Sequence, residues 1–326
     1  MSLLHRLIYI AIAFFSIIDG LNAQDAHFSQ FYANPVYLNP ALVGTADGNR
    51  VVFNHRQQWS KPIKYTTSAV SIDGKLNTNK TGWGVQVLND NQINGMLVQT
   101  KATATLAHRI EIKKHQYLGL GLGVGVYQKK VNWSDLVFED QIDPRHGAIN
   151  PTNERFGKEK IANATVSVGV LYLSENLFGG ISASNVNRPL ENFTNDVNER
   201  LAIKYTAHFG AVIDMNQPGQ KQFVSPNIIF EKQGPISYVN FGFYYGIENI
   251  SVGLYYRTDD ALIGLFGLNY SNFKMGYSYD YTISNVATGD NNSHEISFAY
   301  LFELPKKYNK KGRYKGQCPK FYKYLL

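Results

Sequence analysis

Residues 118–126 read Leu-Gly-Leu-Gly-Leu-Gly-Val-Gly-Val, and this stretch decides the fold. The leucines and valines occupy every second position, and glycines occupy the positions between them. Successive side chains of a β-strand point to opposite faces, whereas a helix would mix the two sets. The stretch therefore predicts a strand with one apolar face and one face that carries only glycine.

The same period of two returns along the chain from residue 50 onward. At 96–109, 201–214 and 273–281, apolar side chains alternate with polar or small ones. Strands of about 10 residues are long enough to cross an outer membrane when they are tilted. The pattern predicts an all-β protein, a transmembrane outer-membrane β-barrel of about 14 antiparallel strands. The segments lie near 50–60, 65–73, 81–90, 96–111, 115–129, 160–174, 177–186, 200–215, 221–232, 235–247, 249–258, 260–270, 272–282 and 294–303.

The connections between these segments alternate in length. The shortest turns follow even-numbered strands, and the three longest connections, near 130–159, 187–199 and 283–293, follow odd-numbered strands. Outer-membrane barrels have short periplasmic turns and longer extracellular loops. Because the strand number is even, the pattern predicts that both termini lie in the periplasm of a Gram-negative bacterium.

Composition is compatible with this fold and excludes others. The chain has 326 residues, of which 17% are charged and 44% hydrophobic, which argues against a disordered chain. No apolar run after residue 18 reaches the roughly 18 residues of a membrane-spanning helix. A soluble β-sandwich or propeller is the alternative. The length of the strands argues against it, as do Tyr277, Tyr279 and Tyr281, which occupy the position of an interfacial aromatic girdle.

The two ends of the chain have separate signatures. Residues 1–23 combine a short basic start, an apolar stretch and a small residue before the cut, which predicts a signal peptide; the alternative is a membrane anchor. The net charge of +7 arises after residue 302, because the part before it balances to zero. A basic tail is not a basic folded face, so no nucleic-acid partner is expected. The predicted organisation is a signal peptide at 1–23, an N-terminal periplasmic or plug-like segment at 24–49, the barrel at 50–302 and a basic aromatic periplasmic tail at 303–326.

The segment before the barrel has its own pattern. Asn34–Pro35 and Asn39–Pro40 each favour an extended or turn conformation, because proline disfavours the helical region for the residue before it. Phe28, Phe31 and Tyr32 give the segment too much apolar surface to remain in water. Three interpretations stay open: the segment caps the periplasmic mouth, enters the lumen, or extends the first strand.

Two stretches near the start of the chain also resemble a known family. FSQFYANPVYLNPALVGT at 28–45 and RVVFNHRQQW at 50–59 are similar to the start of the PorP/SprF family of type IX secretion membrane proteins. The similarity continues in SHEISFAYLF at 293–302 and CPKF at 318–321. It implies an outer-membrane barrel that is not an enzyme and that supports secretion or surface attachment of large proteins such as adhesins, together with envelope machinery. The residues that match the motif are Phe28, Ser29, Gln30, Phe31, Tyr32, Asn34, Pro35, Asn39, Pro40, Arg56, Gln57 and Trp59.

No recognisable catalytic or metal-binding pattern occurs in the sequence. The eight histidines form no HExxH motif, and neither a Gly-x-Ser-x-Gly elbow nor a phosphate-binding lysine loop is present. No enzymatic activity, cofactor, metal or small-molecule substrate is expected. The alternative function is a channel or transporter for small or hydrophobic solutes. Against it, the lumen-facing positions are mostly Gly, Ser, Thr, Asn and Tyr, which favours a filled or narrow lumen over an ion-selective pore.

Three regions are candidates for binding partner proteins, which are expected to be a secreted cargo or adhesin and periplasmic or outer-membrane secretion components. The first is the N-terminal segment, and the second is the 130–159 loop, which is too apolar to be purely solvated. The third is the tail, which either meets anionic head groups or docks a periplasmic partner. The candidate residues are Phe28, Phe31, Tyr32, Asn34, Pro35, Asn39, Pro40, Trp133, Phe138, Lys310, Lys311, Arg313, Tyr314, Cys318, Pro319 and Phe321.

Overall fold

The chain folds into a closed antiparallel barrel. The computed structural model describes residues 25–59, 63–76, 80–153, 157–193, 199–215, 220–284 and 292–303. The predicted signal peptide lies outside these residues, and so does the tail from 304 onward. The tail candidates that fall there are Lys310, Lys311, Arg313, Tyr314, Cys318, Pro319 and Phe321.

Each strand pairs with the strand before it and the strand after it, and the last strand pairs antiparallel with the first, which closes the sheet. The predicted 14 antiparallel strands are confirmed when the one strand that is interrupted at Val212 is counted once. The strands are β1 Asn49–Gln58, β2 Tyr65–Lys75, β3 Thr81–Gln92, β4 Leu97–Lys113, β5 Gln116–Val131, β6 Lys160–Leu173, β7 Leu177–Ser184, β8 Lys204–Ala211 with Ile213–Asp214, β9 Gln222–Gln233, β10 Ile236–Ile247, β11 Ile250–Arg257, β12 Ala261–Tyr270, β13 Phe273–Thr282 and β14 Ser293–Phe302.

The predicted alternation sets the two faces of the wall. On β5, Leu120, Leu122 and Val124 point outward and are exposed, while the glycines between them point into the barrel. Most boundaries lie within about two residues of the prediction, and the largest difference is that β8 starts at Lys204 rather than near 200. The reason is that the amide of Leu201 donates to the carbonyl of Pro189 in the preceding loop instead of to a neighbouring strand.

The two ends of the barrel differ. The end that carries the connections 132–159 and 185–203 is called the long-loop end, and the opposite end, with the turn at 114–115, is called the short-turn end. The 132–159 connection contains two 3-10 turns, Trp133–Asp135 and Glu139–Gln141. It also contains a small hairpin, Ile142–Asp143 with Gly147–Ala148. A further 3-10 turn, Ile93–Gly95, joins β3 to β4.

Residues 25–48, called the N-terminal segment, lie inside the barrel. They form three short turns: a 3-10 turn at Phe31–Ala33, α1 at Pro35–Leu38 and a 3-10 turn at Pro40–Leu42. Most of their side chains are buried. None of the helices in the described residues is long and apolar enough to cross a membrane.

The N-terminal segment crosses the lumen from one end to the other. The amide of Asp25 donates to Gln233 Oε1 at the long-loop end, 2.8 Å away. A Cβ added at Gly48 would lie 2.9 Å from the carbonyl oxygen of Phe302, at the short-turn end. The even number of strands puts the start of β1 at the same end of the barrel as the end of β14. The N-terminal segment itself begins at the opposite end.

Candidate functional site

The N-terminal segment lies against glycines of the barrel wall. A Cβ on Gly121 of β5 would lie 2.3 Å from the backbone nitrogen of Ala41. A Cβ on Gly169 of β6 would lie 2.0 Å from Asn39 Oδ1. Cβ atoms do not approach other heavy atoms so closely, so only glycine allows the segment its present position at these two points. The glycine face that the sequence predicts for β5 is thus part of the surface on which the segment packs.

Asn39 links the segment to two strands of the wall. Its Nδ2 donates to the carbonyl oxygens of Val170 and Ile181, at 3.1 and 3.2 Å. Its Oδ1 accepts from the amide of Ala41 at 2.9 Å and so caps the turn that begins at Pro40. The proline fits this first position because it has no amide hydrogen to satisfy. Asn39 is fully buried, and its amide group therefore connects β6, β7 and the turn.

The first Asn–Pro step is held by the wall and has no side-chain cap. Asn34 precedes α1, and Pro35 occupies the first position of that helix. The side-chain oxygen of Asn34 accepts from Gln86 Nε2 of β3 at 2.7 Å. The two Asn–Pro steps therefore fix the segment to different parts of the wall, one at β3 and one at β6 and β7.

A buried ionic network surrounds Ser29. The hydroxyl of Ser29 donates to Asp280 Oδ2 at 2.5 Å. It accepts from Arg56 Nη1 at 2.7 Å and from Arg257 Nη2 at 2.8 Å. Arg56 and Arg257 also pair directly with Asp280, at 2.9 and 3.2 Å. A single hydroxyl of the segment thus joins charged groups from β1, β11 and β13.

Glu295 of β14 extends this network along the backbone of the segment. Its carboxylate accepts from the amides of Ser29 and Gln30, at 2.7 and 3.1 Å. The side chain of Gln30 donates to the carbonyl of Glu295 at 2.9 Å and accepts from the hydroxyl of Ser297 at 2.6 Å. A hydrogen bond to a charged group typically contributes about 1.5–3 kcal/mol, so these contacts hold the segment firmly.

Aromatic side chains fill the space on either side of the network. Phe28 packs edge-on against Tyr37 within the segment, with ring centroids 5.4 Å apart. Phe31 packs against Tyr255 of β11 at 5.2 Å, and Tyr32 packs against Phe178 of β7 at 5.5 Å. These two ring contacts join the segment to β11 and to β7.

Two small cavities lie beside the segment. One cavity of about 10 Å³ lies between Phe28, Tyr37 and Ile229, and another of about 10 Å³ lies between Ala33, Arg50 and Val52. Each is about the size that holds a single water molecule.

The long-loop end of the lumen is lined with charged and polar groups. The carboxylate of Asp25 accepts from Gln99 at 3.1 Å and from Asn185 at 2.7 Å. Glu191, from the 185–203 connection, reaches the barrel wall and pairs with Lys129 at 2.9 Å. It also accepts from the hydroxyl of Tyr127 at 2.5 Å. The connection is thereby held across the inner edge of β5.

The 132–159 loop presents apolar and charged groups together. Trp133 packs against Phe193 with ring centroids 6.4 Å apart. Phe138 is half-buried, whereas Val137 and Ile149 are 59% and 62% exposed. Asp143 accepts from the amides of Arg145 and His146, and these hydrogen bonds lower the pKa of its carboxyl. The loop is therefore locally ordered while it exposes large apolar side chains.

The structure separates the predicted partner-binding residues into two groups. Phe28, Phe31, Tyr32, Asn34, Pro35, Asn39 and Pro40 lie together inside the barrel and are buried. Trp133 and Phe138 lie in the 132–159 loop, outside the lumen. Asp280, Arg257 and Glu295 were not predicted from the sequence as site residues. All three stand at lumen-facing positions of strands predicted from their alternation, and a charged residue at such a position was the available signal.

Comparisons with known proteins agree with this architecture. The family model of the type IX secretion system membrane protein PorP/SprF matches residues 20–300. No curated protein sequence matches the chain. The crystal structure of the toluene transporter TbuX of Ralstonia pickettii is similar in fold, with a TM-score of 0.50 and 9% identity over 82% of this chain and 94% of that one.

Two further barrels are more distant. The toluene transporter TodX of Pseudomonas putida has a TM-score of 0.45 and 10% identity over 82% of this chain and 92% of that one. A FadL homologue of Pseudomonas aeruginosa has a TM-score of 0.43 and 9% identity over 81% and 93%. At such identities the likeness to TbuX shows the barrel fold alone, whereas the family model covers most of the chain. The chain therefore belongs to the PorP/SprF family of type IX secretion system membrane proteins and is an outer-membrane β-barrel.

Proposed function

We propose that this protein is a closed, non-enzymatic barrel that supports secretion or surface attachment of a partner protein such as an adhesin. The observation that carries the proposal is the N-terminal segment, which acts as a plug. It occupies the lumen from Asp25 at one end to Gly48 at the other. A barrel that is filled in this way offers a rigid surface rather than a passage.

The plug is fixed by contacts that a passing solute could not easily displace. The Ser29 network joins it to β1, β11, β13 and β14, and Asn39 joins it to β6 and β7. Opening a continuous path would break these contacts on both sides of the lumen. The proposal therefore favours a structural role over the alternative of a channel for small or hydrophobic solutes.

In this proposal the short-turn end faces the periplasm and the long-loop end faces outside. The cargo or adhesin binds the 132–159 loop, where Val137 and Ile149 are exposed and Trp133 packs against Phe193 of the 185–203 connection. Large exposed apolar side chains at a rigid mouth are typical of protein-binding sites. Secretion components of the cell envelope approach from the periplasmic side.

The buried residues of the N-terminal segment have a supporting role in this scheme. Phe28, Tyr32 and Asn39 are enclosed by the wall, so their side chains do not touch a partner while the plug is in place. They act by holding the barrel and its mouth in one shape. Their replacement should impair partner display only as far as it loosens the plug.

The experiment is surface display of the partner in cells that carry loop variants. Val137→Ser with Ile149→Ser removes two exposed apolar groups, and Glu139→Ser with Asn150→Ser is the matched control on the same loop. Heat-modifiable gel mobility checks that each barrel folds, and mass spectrometry of proteins captured with the tagged barrel identifies the partner. The proposal expects capture and display of the partner to fall in the variant with Val137→Ser and Ile149→Ser, and to stay unchanged in the control variant. Equal capture by both variants would contradict the assignment of the loop as the binding surface.

A further inference from the structure

The β4–β5 hairpin extends past the start of β3 at the short-turn end. β4 has 17 residues and β3 has 12, and their pairing ends at Thr81 opposite His108. The amide of Arg109 still donates to the carbonyl of Lys80, at 2.7 Å. Among the described residues, no strand pairs with 110–113 on the β3 side, whereas on the β5 side pairing continues to Lys113 opposite Gln116.

A groove of about 450 Å³ runs along this edge, which no described residue covers, between Lys80 and the stretch from His108 to Lys114. An open sheet edge does not occur in hydrocarbon, because its polar backbone groups would lack partners. The groove therefore lies at or beyond the polar surface of the membrane. An unpaired edge in water is a template for another strand, and proteins usually cover or shorten such edges.

The groove is predominantly basic. Lys80, Lys113 and Lys114 are exposed, and Glu111 is the acid among the groove residues. None of these three lysines forms an ion pair within the described part of the chain. Ile110 and Ile112 on the outward face are 49% and 54% exposed, so the edge offers apolar contacts as well as charge.

We propose that the open edge of β4 at residues 110–113 is a docking site for an extended acidic segment of a periplasmic partner, which adds to the sheet as a strand. Backbone hydrogen bonds to the edge would supply affinity, and the lysines would select acidic side chains. This chain's own tail is an unsuitable occupant, since it has eight lysines and arginines and no acid after Glu303. The periplasmic location rests on the orientation given under the proposed function.

The test uses the purified full-length barrel in detergent and a synthetic peptide of about eight residues in which valine alternates with glutamate or threonine. Binding is measured by fluorescence anisotropy, and hydrogen exchange reports on the amides of 110–113. The proposal expects saturable binding and slower exchange confined to this edge. The same peptide with N-methyl groups on alternate residues keeps its charge but cannot pair, so its affinity should fall roughly tenfold or more.

Charge variants test the selectivity of the groove. A triple variant that carries Lys80→Glu, Lys113→Glu and Lys114→Glu should bind the acidic peptide roughly tenfold more weakly or worse. It should prefer a peptide that has lysine in place of glutamate. Lys221→Glu changes an exposed lysine at the same end of the barrel but outside the groove, and should leave affinity unchanged. Absence of binding, or equal binding of the N-methylated peptide, would overturn the proposal. Because no secretion is involved, either result leaves the proposed function standing.

Discussion

The N-terminal segment approaches β5 so closely at Gly121 that Gly121→Ala should disturb the packing between them. The added Cβ would lie 2.3 Å from backbone atoms of both Pro40 and Ala41, so no side-chain rotation can relieve the contact. Gly119 is the matched control, because it lies on the same face of the same strand, two residues away. A Cβ there would have its nearest neighbour, Leu171 Cβ, at 3.5 Å, an ordinary van der Waals distance.

The size of the effect follows from these distances. To give the added methyl group contacts of normal length, wall and plug must separate by about 1 Å, and overpacking of this kind typically costs about 1–3 kcal/mol. Such a displacement also lengthens the hydrogen bonds from Asn39 to Val170 and Ile181, which are 3.1 and 3.2 Å long. Gly119→Ala adds no clash and reduces the freedom of the unfolded chain, so its effect should stay within about 1 kcal/mol.

The assay is unfolding of each purified barrel in urea, followed by heat-modifiable gel mobility, with protease digestion to reveal release of the N-terminal segment. Gly121→Ala should unfold at lower urea and release the segment more readily than the wild-type protein, while Gly119→Ala should behave as wild type. Equal destabilisation by both substitutions would refute the reasoning, because it would show that any side chain on this face is harmful regardless of the plug.

Further predictions concern the network, the long loop and the tail. Ser29→Ala removes a hydroxyl that bonds to three charged groups, so the free energy of unfolding should fall by about 1.5–3 kcal/mol. The control, Ser297→Ala, loses a hydrogen bond to the neutral Gln30 amide and should lower the free energy of unfolding by about 1 kcal/mol in the same urea titration. An epitope tag beside Gly147 should be detected by antibody on intact cells, and detection only after the outer membrane is opened would invert the topology. Deletion of 304–326 should leave a heat-modifiable barrel but abolish co-purification of envelope partners, and undiminished co-purification would make the tail an electrostatic accessory.

The barrel could be predicted from the sequence because alternation is a local signal. The stretch 118–126 identifies the lipid-facing and lumen-facing sides without knowledge of any other strand, and the same holds for 273–281. The start of β8 was harder to locate. Leu201 continues the alternation, but its amide is bound by Pro189 of the preceding loop, and such a contact leaves no periodic trace in the sequence.

The contacts of the plug could be predicted only in part. The Asn–Pro steps indicated turns, and the apolar side chains indicated that the segment is packed, but its position in the lumen stayed open. Ser29 meets Asp280 and Arg257 across separations of more than 200 residues, and these contacts depend on the curvature of the closed barrel. Because the N-terminal segment crosses the lumen, the number of strands does not predict the end of the barrel at which Asp25 lies.

In the proposed function the N-terminal segment blocks the lumen of the barrel. Electrical conductance tests this most directly. Purified wild-type protein is inserted into a planar bilayer, with an open porin as the positive control for insertion and detection. We expect a baseline without stable conductance steps, because in the proposed function residues 25–48 block the lumen. Reproducible, ohmic steps from the wild-type barrel would contradict it and would favour the channel.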